Sequence, residues 1–282
     1  MRTVRTAQEL RAVLDRWRRT GDRIALVPTM GNLHDGHLSL VQLARTHGER
    51  VVVTIFVNPT QFEPGSDYEA YPRTLEEDRE RLQQARVNLL FAPDTATMYP
   101  FGLEQATRVR VPGLSEELCG ASRPGHFEGV TSVVLRLFAL VEPDVAVFGE
   151  KDYQQQVLIR RMVDDLHLRV KIVTAPTVRE PDGLAFSSRN QYLTPEERRV
   201  APELYGTLRR AAEALHDGSG DYAAIESRAM AELASHGFRP DYVSVRRADT
   251  LALPGPGSRE LVVLGAAWLG KARLIDNVRA TV

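Results

Sequence analysis

The sequence predicts an α/β protein with a doubly wound, parallel, Rossmann-like sheet and a smaller C-terminal α+β domain. Strand-like runs alternate with helical patterns up to about residue 174, which is the chain order of a parallel sheet. From residue 194 onward, helix-forming segments come first and strand-like runs follow, an order typical of a separate α+β lobe. We expect domains at residues 1–184 and 185–282, with the active site between them.

The composition is that of an ordinary globular protein. Of 282 residues, 43% are apolar and 26% charged, and the formal net charge of -1 argues against a general nucleic-acid binder. The single cysteine, Cys119, excludes an intrachain disulfide and a cysteine-based metal site. We therefore expect a cytoplasmic protein, and because no apolar run approaches membrane-spanning length, no membrane association.

The N-terminal segment predicts a helix followed by the first inner strand. Thr6 and Glu9 are spaced as a capping box, apolar side chains recur at helical spacing over residues 10–17, and Gly21 follows the last turn. The apolar run 24–27 is then a buried strand.

The segment after this strand, residues 28–40, predicts a tight turn and the start of a helix. Unpaired N–H groups at a helix start, together with the helix dipole, favour an anion. His34 and His37 are three residues apart, so both imidazoles lie on one face and can meet one phosphate group. The alternatives are two surface histidines on an ordinary helix, or a metal pair without further ligands.

The second inner strand is predicted at residues 51–57, a continuous apolar run rich in β-branched residues. Pro59 stops it and leaves Asn58 and Gln61 at its carboxyl end, where open α/β sheets bind ligands. An ordinary polar loop is the alternative.

Beyond a loop at residues 63–73, Thr74 and Glu77 have capping-box spacing. A helix is expected from there to about Arg86, and the third strand at 87–93. The order is then βαβαβ.

Residues 94–128 are less regular. Alternation over 107–111 predicts a short strand, and 114–119 a short helix. Three glycines and a proline between residues 120 and 129 indicate a loop carrying Arg123 and His126.

A helix at 130–141 and a strand at 144–148 lead to a second polar segment. Lys151 can offer a compact positive charge to a phosphate, and Gln155, one turn further, can bind a neutral polar ligand. A solvated helix start is the alternative.

A strand at 170–174 precedes a third polar segment. Ser187, Ser188 and Arg189 place two hydroxyls and a guanidinium just before a helix capped by Thr194, and such a group can hold a triphosphate. Loops of this kind are also commonly just solvated. The rest of the chain predicts helices at 195–216 and 221–236, then strands at 241–245, 261–268 and 272–276.

Several segments resemble known families. The sequence His34 to His37 is similar to the H-x-G-H motif of the nucleotidyltransferase (HUP) superfamily, and residues 186–189 resemble that superfamily's second signature. Six segments together resemble the pantothenate synthetase family in order and spacing: residues 28–31, 56–62, 71–73, 123–127, 148–155 and 182–190.

The resemblance implies a pantoate–β-alanine ligase that uses ATP, pantoate and β-alanine, forms a pantoyl adenylate, and releases pyrophosphate and AMP. It implies an ATP- and pantoate-binding first domain, a C-terminal lid domain, a homodimer and no tightly bound cofactor. Mg²⁺ should accompany ATP, held mainly by phosphates with Asp78 as a further ligand. Glu77 is the competing ligand, although its expected capping role weakens that assignment.

The resemblance also implies roles for the residues of this sequence that match the family's motifs. His34, His37, Lys151 and Arg189 are the expected catalytic residues, with His37 the family's proton donor, and Gln61 and Gln155 bind substrate. Because adenylation requires no proton, charged hydrogen bonding is the role that we expect for His37. The expected ATP-binding residues are Met30, Gly31, Asn32, Leu33, His34, Asp35, Gly36, His37, Gly149, Glu150, Lys151, Asp152, Val178, Phe186, Ser187, Ser188 and Arg189.

Phe186 stands where the family usually has methionine, so its contact with adenine would be an aromatic one. Other hypotheses are a different adenylyltransferase, a small synthetase-like aminoacyl ligase, and a nucleotide sensor without turnover. A tRNA partner would favour a basic appended domain, which this near-neutral chain lacks. The candidate catalytic residues are all retained, which disfavours the sensor.

Overall fold

The computed structural model describes residues 1–62, 68–216 and 221–282, so residues 63–67 of the predicted loop at 63–73 lie outside it. The chain forms two compact units. The first comprises Met1–Glu150 and Leu158–Pro176, and the second comprises Lys151–Val157 and Thr177–Val282. The predicted domain division at residues 184 and 185 stays a prediction.

The first unit contains a six-stranded, fully parallel sheet in the order β1-β4-β3-β2-β5-β6. This confirms the predicted fold class. The short edge strand β1 was not predicted. The strands are β1 (Arg2–Val4), β2 (Ile24–Thr29), β3 (Arg50–Ile55), β4 (Leu89–Phe91), β5 (Val145–Gly149) and β6 (Lys171–Ala175).

The strand order reverses at β2, because the chain proceeds from β2 through β3 to β4 on one side and places β5 and β6 on the other. Ligands of doubly wound proteins bind at such a switch point, beyond the carboxyl ends of the strands. The polar segments predicted from sequence follow β2, β3 and β5. The topology therefore collects the ends of these three strands at one edge.

Helices cover both faces of this sheet, and the strand interiors, including Val52 and Val53, are fully buried. The predicted capping box of Thr6 and Glu9 is confirmed at the start of the first helix. The α-helices that precede β6 in the sequence are α1 (Ala7–Arg19), α2 (Asp35–Arg45), α3 (Leu75–Gln84), α4 (Thr95–Met98), α5 (Cys119–Ser122), α6 (His126–Val141) and α7 (Tyr153–Asp165).

The predicted capping box of Thr74 and Glu77 is wrong. The Thr74 side chain makes no cap hydrogen bond to the backbone of α3 and donates instead to Asp78 Oδ2 at 3.2 Å. A nearby carboxylate competes successfully for the hydroxyl group. Glu77 is exposed.

The predicted strand at 107–111 is also wrong, since the segment pairs with no strand of the described chain. Side chains of α6 satisfy its backbone: Val109 N–H donates to Ser132 Oγ at 2.8 Å, and Thr131 Oγ1 donates to Val109 O at 2.5 Å. The helix predicted at 114–119 is wrong, because residues 114–118 form turns and the single helical turn α5 begins only at Cys119. The predicted loop at 120–129 is shortened at both ends, by α5 and by α6, which begins at His126.

The second unit packs three helices with a three-stranded antiparallel sheet in the order β7-β8-β9. The single helix predicted at 195–216 is wrong, because Pro202 lies between two helices and cannot continue the first. The elements are α8 (Pro195–Val200), α9 (Glu203–Leu215), α10 (Tyr222–Ser235), β7 (Arg239–Arg247), β8 (Glu260–Leu269) and β9 (Ala272–Thr281).

The core of the second unit lies between its helices and its sheet. Leu208 of α9 is fully buried, and a methyl group added at Gly265 of β8 would lie 2.8 Å from its side chain. Glycine at this position therefore permits the close approach of α9 to β8. Within the described residues, no helix has the length and apolar character needed to cross a membrane.

Candidate active site

The loop between β2 and α2 has a backbone shape that a glycine makes possible. Gly31 has a φ of +85°, and Asn32 follows with a φ of +51°. A Cβ at position 31 would lie 3.0 Å from Asp78 Oδ2 and 3.1 Å from Ile55 Cγ2. The chain therefore turns sharply at Gly31, close to the end of β3.

The buried carboxylate of Asp78 anchors this loop. Its Oδ2 accepts from Asn32 N–H at 2.9 Å, and its Oδ1 accepts from Leu33 N–H at 2.7 Å. Asp78 belongs to α3 and is only 2% exposed. Hydrogen bonds to a charged acceptor are stronger than neutral ones, and in a buried site they fix the loop geometry. The role of Asp78 as a magnesium ligand stays a prediction.

His34 and His37 come together at the start of α2, as the spacing predicted. Their ring centroids lie 4.1 Å apart with an interplanar angle of 39°. The backbone N–H of His34 donates to Nδ1 of His37 at 3.3 Å. An acceptor Nδ1 carries no proton, so this hydrogen bond favours the neutral tautomer of His37 with its proton on Nε2. That nitrogen is then a donor for a ligand.

Gln61 lies at the end of the short 3₁₀ turn Pro59–Gln61 that follows β3, and it is only 8% exposed. Its Oε1 accepts from Asn58 Nδ2 at 3.1 Å, and its Nε2 lies 3.1 Å from Met30 Sδ. A thioether is a weak acceptor, which a ligand oxygen can readily replace. Gln61 therefore adjoins the loop that carries the two histidines.

The close packing of this turn on α6 depends on Gly129. A Cβ at position 129 would lie 2.7 Å from Gln61 N and 2.6 Å from Thr60 C, and it would also collide with Thr60 O. These are backbone atoms, which cannot rotate away. Gly129 O in turn accepts from Asn58 Nδ2 at 3.1 Å. Position 129 thus requires glycine for a steric reason rather than for its φ.

Arg123 and His126 also contact the turn. His126 Nδ1 lies 2.8 Å from Gln61 O, and Arg123 Nη2 donates to the same oxygen at 3.4 Å. Sequence reasoning placed both residues on a loop without a partner. In the structure both side chains contact the backbone carbonyl oxygen of Gln61.

Tyr99 is a member of the site that sequence reasoning missed. Its hydroxyl donates to Asn58 Oδ1 at 2.6 Å and lies 3.2 Å from Thr60 Oγ1. Burial raises the pKa of the Tyr99 hydroxyl above its ordinary value, against the lowering effect of Thr60 and neighbouring arginines. The phenol is therefore a stable donor at neutral pH. Tyr99 and Asn58 are 41 residues apart in the sequence, so no local motif could have indicated their hydrogen bond.

Lys151 and Gln155 belong to the second unit, where both are half-buried. Lys151 lies in the 3₁₀ turn Glu150–Asp152, and its carbonyl accepts from Asn277 Nδ2 of β9 at 3.1 Å. Tyr153 donates to Ala248 O at 2.8 Å and is buried. The backbone around the predicted lysine is therefore held within the second unit.

Residues 178–186 form a hairpin that leads to the serine and arginine side chains. Phe186 N–H donates to Val178 O at 3.1 Å, and Ser187 caps the 3₁₀ segment Ser188–Tyr192 by accepting from Arg189 N–H. Lys151 and Ser187 both line one small pocket of this unit, together with Leu184, Ala185, Asn190, Ala201, Leu204, Leu274, Ile275 and Asp276.

A bidentate ion pair holds this hairpin. Arg179 Nη1 and Nη2 donate to the two oxygens of Asp276 at 2.6 and 2.8 Å, and the Asp276 side chain is only 3% exposed. The Arg179 guanidinium also lies 3.6 Å from the ring centroid of Tyr205. At the hairpin tip, Arg198 donates to Glu180 and Asp182, each at 2.6 Å.

The structure divides the predicted ATP-binding residues between the two units. Within the first unit it brings the histidine loop and Gln61 together, and within the second unit it brings Lys151 and Ser187 together. The described residues include no group of three or more histidine, cysteine, aspartate or glutamate side chains suited to a metal ion. The first unit holds Met30, Gly31, Asn32, Leu33, His34, Asp35, Gly36, His37, Gly149 and Glu150, and the second holds Lys151, Asp152, Val178, Phe186, Ser187, Ser188 and Arg189.

Comparison with known proteins places the chain in one family. The model of the pantoate-beta-alanine ligase family matches residues 2–279. The pantothenate synthetase of Thioalkalivibrio sulfidiphilus is 59% identical over 278 residues, covering 99% of this chain and 97% of the relative. That of Alkalilimnicola ehrlichii is 55% identical over the same share of each chain.

Solved structures agree with this result. The crystal structure of pantothenate synthetase from Thermus thermophilus matches with a TM-score of 0.91 and 50% identity, covering 99% of both chains. A pantoate-beta-alanine ligase from Francisella tularensis, in complex with beta-gamma ATP and beta-alanine, matches with a TM-score of 0.83 and 34% identity, covering 99% of this chain and 97% of the other. The fold, the motifs and the full-length similarity lead to one conclusion: the chain belongs to the pantoate-beta-alanine ligase family of enzymes.

Proposed function

We propose that this enzyme condenses pantoate with β-alanine at the expense of ATP, through a pantoyl-adenylate intermediate. Family membership supports the overall reaction. The ATP and β-alanine of the Francisella tularensis complex support the same two substrates here. The proposal excludes a tightly bound cofactor and a nucleic-acid partner, and includes a cytoplasmic homodimer.

One observation carries the proposal. Gln61 Nε2 lies 3.1 Å from Met30 Sδ, so the residue expected to bind the acid adjoins the loop expected to bind the phosphates. Adenylation requires the acid's carboxylate to meet the α-phosphate of ATP. A donor for the acid beside a phosphate-binding loop meets this requirement.

The first step forms a bond between a pantoate carboxylate oxygen and the α-phosphorus, and breaks the bond from that phosphorus to pyrophosphate. Negative charge grows on the phosphate oxygens and on the leaving group. Donors already in place stabilise this charge more than they stabilise the ground state. The donors assigned to this task are His34, His37, Lys151, Ser187, Ser188 and Arg189.

His37 acts here as a hydrogen-bond donor. Its Nδ1 accepts from His34 N–H, which leaves the proton on Nε2. A neutral imidazole can hold a phosphate oxygen through Nε2–H without transferring the proton. This assignment replaces the family's proton-donor role for the adenylation step.

In the second step the β-alanine amine attacks the acyl carbon of the adenylate and the bond to AMP breaks. The nitrogen then loses a proton to complete the amide. Mg²⁺ is expected to accompany ATP, with phosphate oxygens as its main ligands. Asp78 remains the proposed protein ligand, and its Oδ1 accepts only one of the three hydrogen bonds that reach its carboxylate.

ATP–pyrophosphate exchange tests the reaction sequence. Exchange should require pantoate and proceed without β-alanine, because the adenylate forms before the amine enters. Exchange that needs β-alanine would contradict the ordered mechanism. Exchange that proceeds equally well with amino acids would contradict the assigned acid and favour an aminoacyl ligase.

The variant Gln61→Ala tests the division of the site. We expect the KM for pantoate to rise about ten- to a hundredfold, because a buried hydrogen-bonding group is lost, while ATP binding stays within about twofold. The exposed Gln84→Ala on α3 is the matched control and should behave as wild type. An equal loss of nucleotide affinity in Gln61→Ala would show that the division is wrong.

A further inference from the structure

The amide groups around Gln61 form a chain in which each orientation is determined by the one before it. Asn58 is 1% exposed, and its Nδ2 donates to both Gly129 O and Gln61 Oε1. A flipped Asn58 amide would set an oxygen against the Gly129 carbonyl oxygen. The backbone therefore selects the orientation in which Asn58 donates to Gln61.

Three donors hold the other end of the Asn58 amide. Its Oδ1 accepts from Tyr99 OH at 2.6 Å, from Thr60 Oγ1 at 3.0 Å and from Thr60 N–H at 3.3 Å. The bond from Tyr99 is the shortest of the three. The phenol itself is 3% exposed, and its ring packs under the Arg136 guanidinium, 4.7 Å from the centroid. Tyr99 therefore makes the shortest hydrogen bond to Asn58 from a buried and packed position.

The order of donors and acceptors determines what Gln61 can offer a ligand. Because Asn58 occupies Oε1, the end of Gln61 that faces Met30 Sδ is the Nε2 amide. A side chain held in this way presents N–H donors and selects oxygen acceptors. Pantoate carries such acceptors in its carboxylate and hydroxyl groups.

We infer that Tyr99 is a positioning residue that acts through Asn58 to keep the Gln61 amide donor directed at the acid substrate. This inference rests on the proposed function, since it names the residue that orients the acid-binding group. In this assignment Tyr99 acts through its hydrogen bond to Asn58 and not by binding a substrate. Its effect should therefore appear in pantoate recognition and depend on the presence of Gln61.

The variant Tyr99→Phe keeps the ring and removes the hydroxyl. We expect the KM for pantoate in pyrophosphate exchange to rise about three- to tenfold, as the loss of one buried hydrogen bond implies, with the KM for ATP unchanged. Ser244→Ala removes a buried hydroxyl of the second unit that donates to Glu226 Oε1 at 3.3 Å, and it should leave the KM for pantoate within about twofold. Equal changes in the KM for ATP and pantoate in Tyr99→Phe would overturn the inference.

A double-mutant cycle separates positioning from general stability. In the Gln61→Ala background, Tyr99→Phe should change kcat/KM for pantoate by less than about twofold, because the group that it positions is already absent. Additive effects of the two substitutions would refute the inference. A wild-type protein without pantoate-dependent exchange would overturn the proposed function and this inference together. Normal wild-type exchange with an unaffected Tyr99→Phe would overturn the inference alone.

Discussion

The two loops expected to bind nucleotide are anchored in different ways. In the first unit, the Asp78 carboxylate accepts from the backbone of Asn32 and Leu33. In the second unit, the Asp276 carboxylate pairs with the Arg179 side chain. A double substitution can remove both Asp276 and its partner Arg179. The partners of Asp78 are backbone N–H groups, which no substitution other than proline removes. The two anchors should therefore respond differently to compensating substitutions.

The largest effect is expected for Asp276→Asn. It leaves the Arg179 charge poorly compensated at a site where that side chain is only 19% exposed, which should lower the free energy of unfolding by about 3 kcal/mol. Urea unfolding measures this. Asp165→Asn removes an exposed pair with Arg161 and should cost less than about 0.5 kcal/mol.

The double variant Arg179→Met with Asp276→Leu sharpens the contrast. Replacing both members of a buried pair with apolar residues is often neutral, so most of the lost stability should return. A double variant as unstable as Asp276→Asn would show that the hairpin depends on the pair for more than charge compensation.

A smaller loss of stability and a clearer loss of activity are expected for Asp78→Asn. One amide oxygen can satisfy only one of the two N–H groups, and the amide nitrogen faces the other. We expect a loss of about 2 kcal/mol in unfolding free energy, together with reduced kcat, because the histidine loop shifts. Urea unfolding and steady-state kinetics measure the two quantities.

The exposed neighbour Glu77→Gln should leave stability unchanged and serves as the control. A Mg²⁺ titration of both variants also tests the metal assignment. If Asp78→Asn retains wild-type stability, the proposed anchor is wrong. An altered Mg²⁺ requirement in Glu77→Gln alone would assign the metal to Glu77.

The smallest effect is expected at the hairpin tip. There Arg198 donates a hydrogen bond to the Asp182 carboxylate, and this bond lowers the pKa of Asp182 below the ordinary value of 3.8. The stabilisation is therefore present above about pH 4 and is lost as the pH falls through the lowered pKa. Because the Asp182 side chain is 43% exposed, Asp182→Asn should cost less than about 1 kcal/mol at pH 7.

The difference in unfolding free energy between wild type and Asp182→Asn should shrink below about pH 4 and at high salt. Urea unfolding at several pH values measures it. A difference that grows on acidification would contradict the assigned ion pair.

Local patterns predicted the elements whose cause is local. The β-branched run of β3 is buried on both faces, and the Thr6 and Thr194 caps formed as their spacing indicated. Thr74 has the same spacing to Glu77 but forms no capping box, because its hydroxyl donates to the Asp78 carboxylate instead. A capping motif thus predicts a cap only where no stronger acceptor lies within reach.

The long-range parts of the site had no local signal. Gly129 approaches the backbone of Thr60 from a distant part of the chain, and a lone glycine next to a helical pattern carries no sign of such a partner. The strand expected at 107–111 does not form for a related reason. Side chains of α6 make the hydrogen bonds to the Val109 backbone that a neighbouring strand would otherwise make. The sequence motifs named the groups that we propose to face a ligand, and the residues that support them became visible only in the folded chain.

The missing methyl group at position 129 has a consequence for redesign of this enzyme. A laboratory library that seeks to accept another acid cannot use this position, since a side chain there would displace the Pro59–Gln61 turn. Met30 meets the same glutamine through a flexible thioether and faces no such restriction. Diversity should therefore be introduced at Met30, with the glycine held constant.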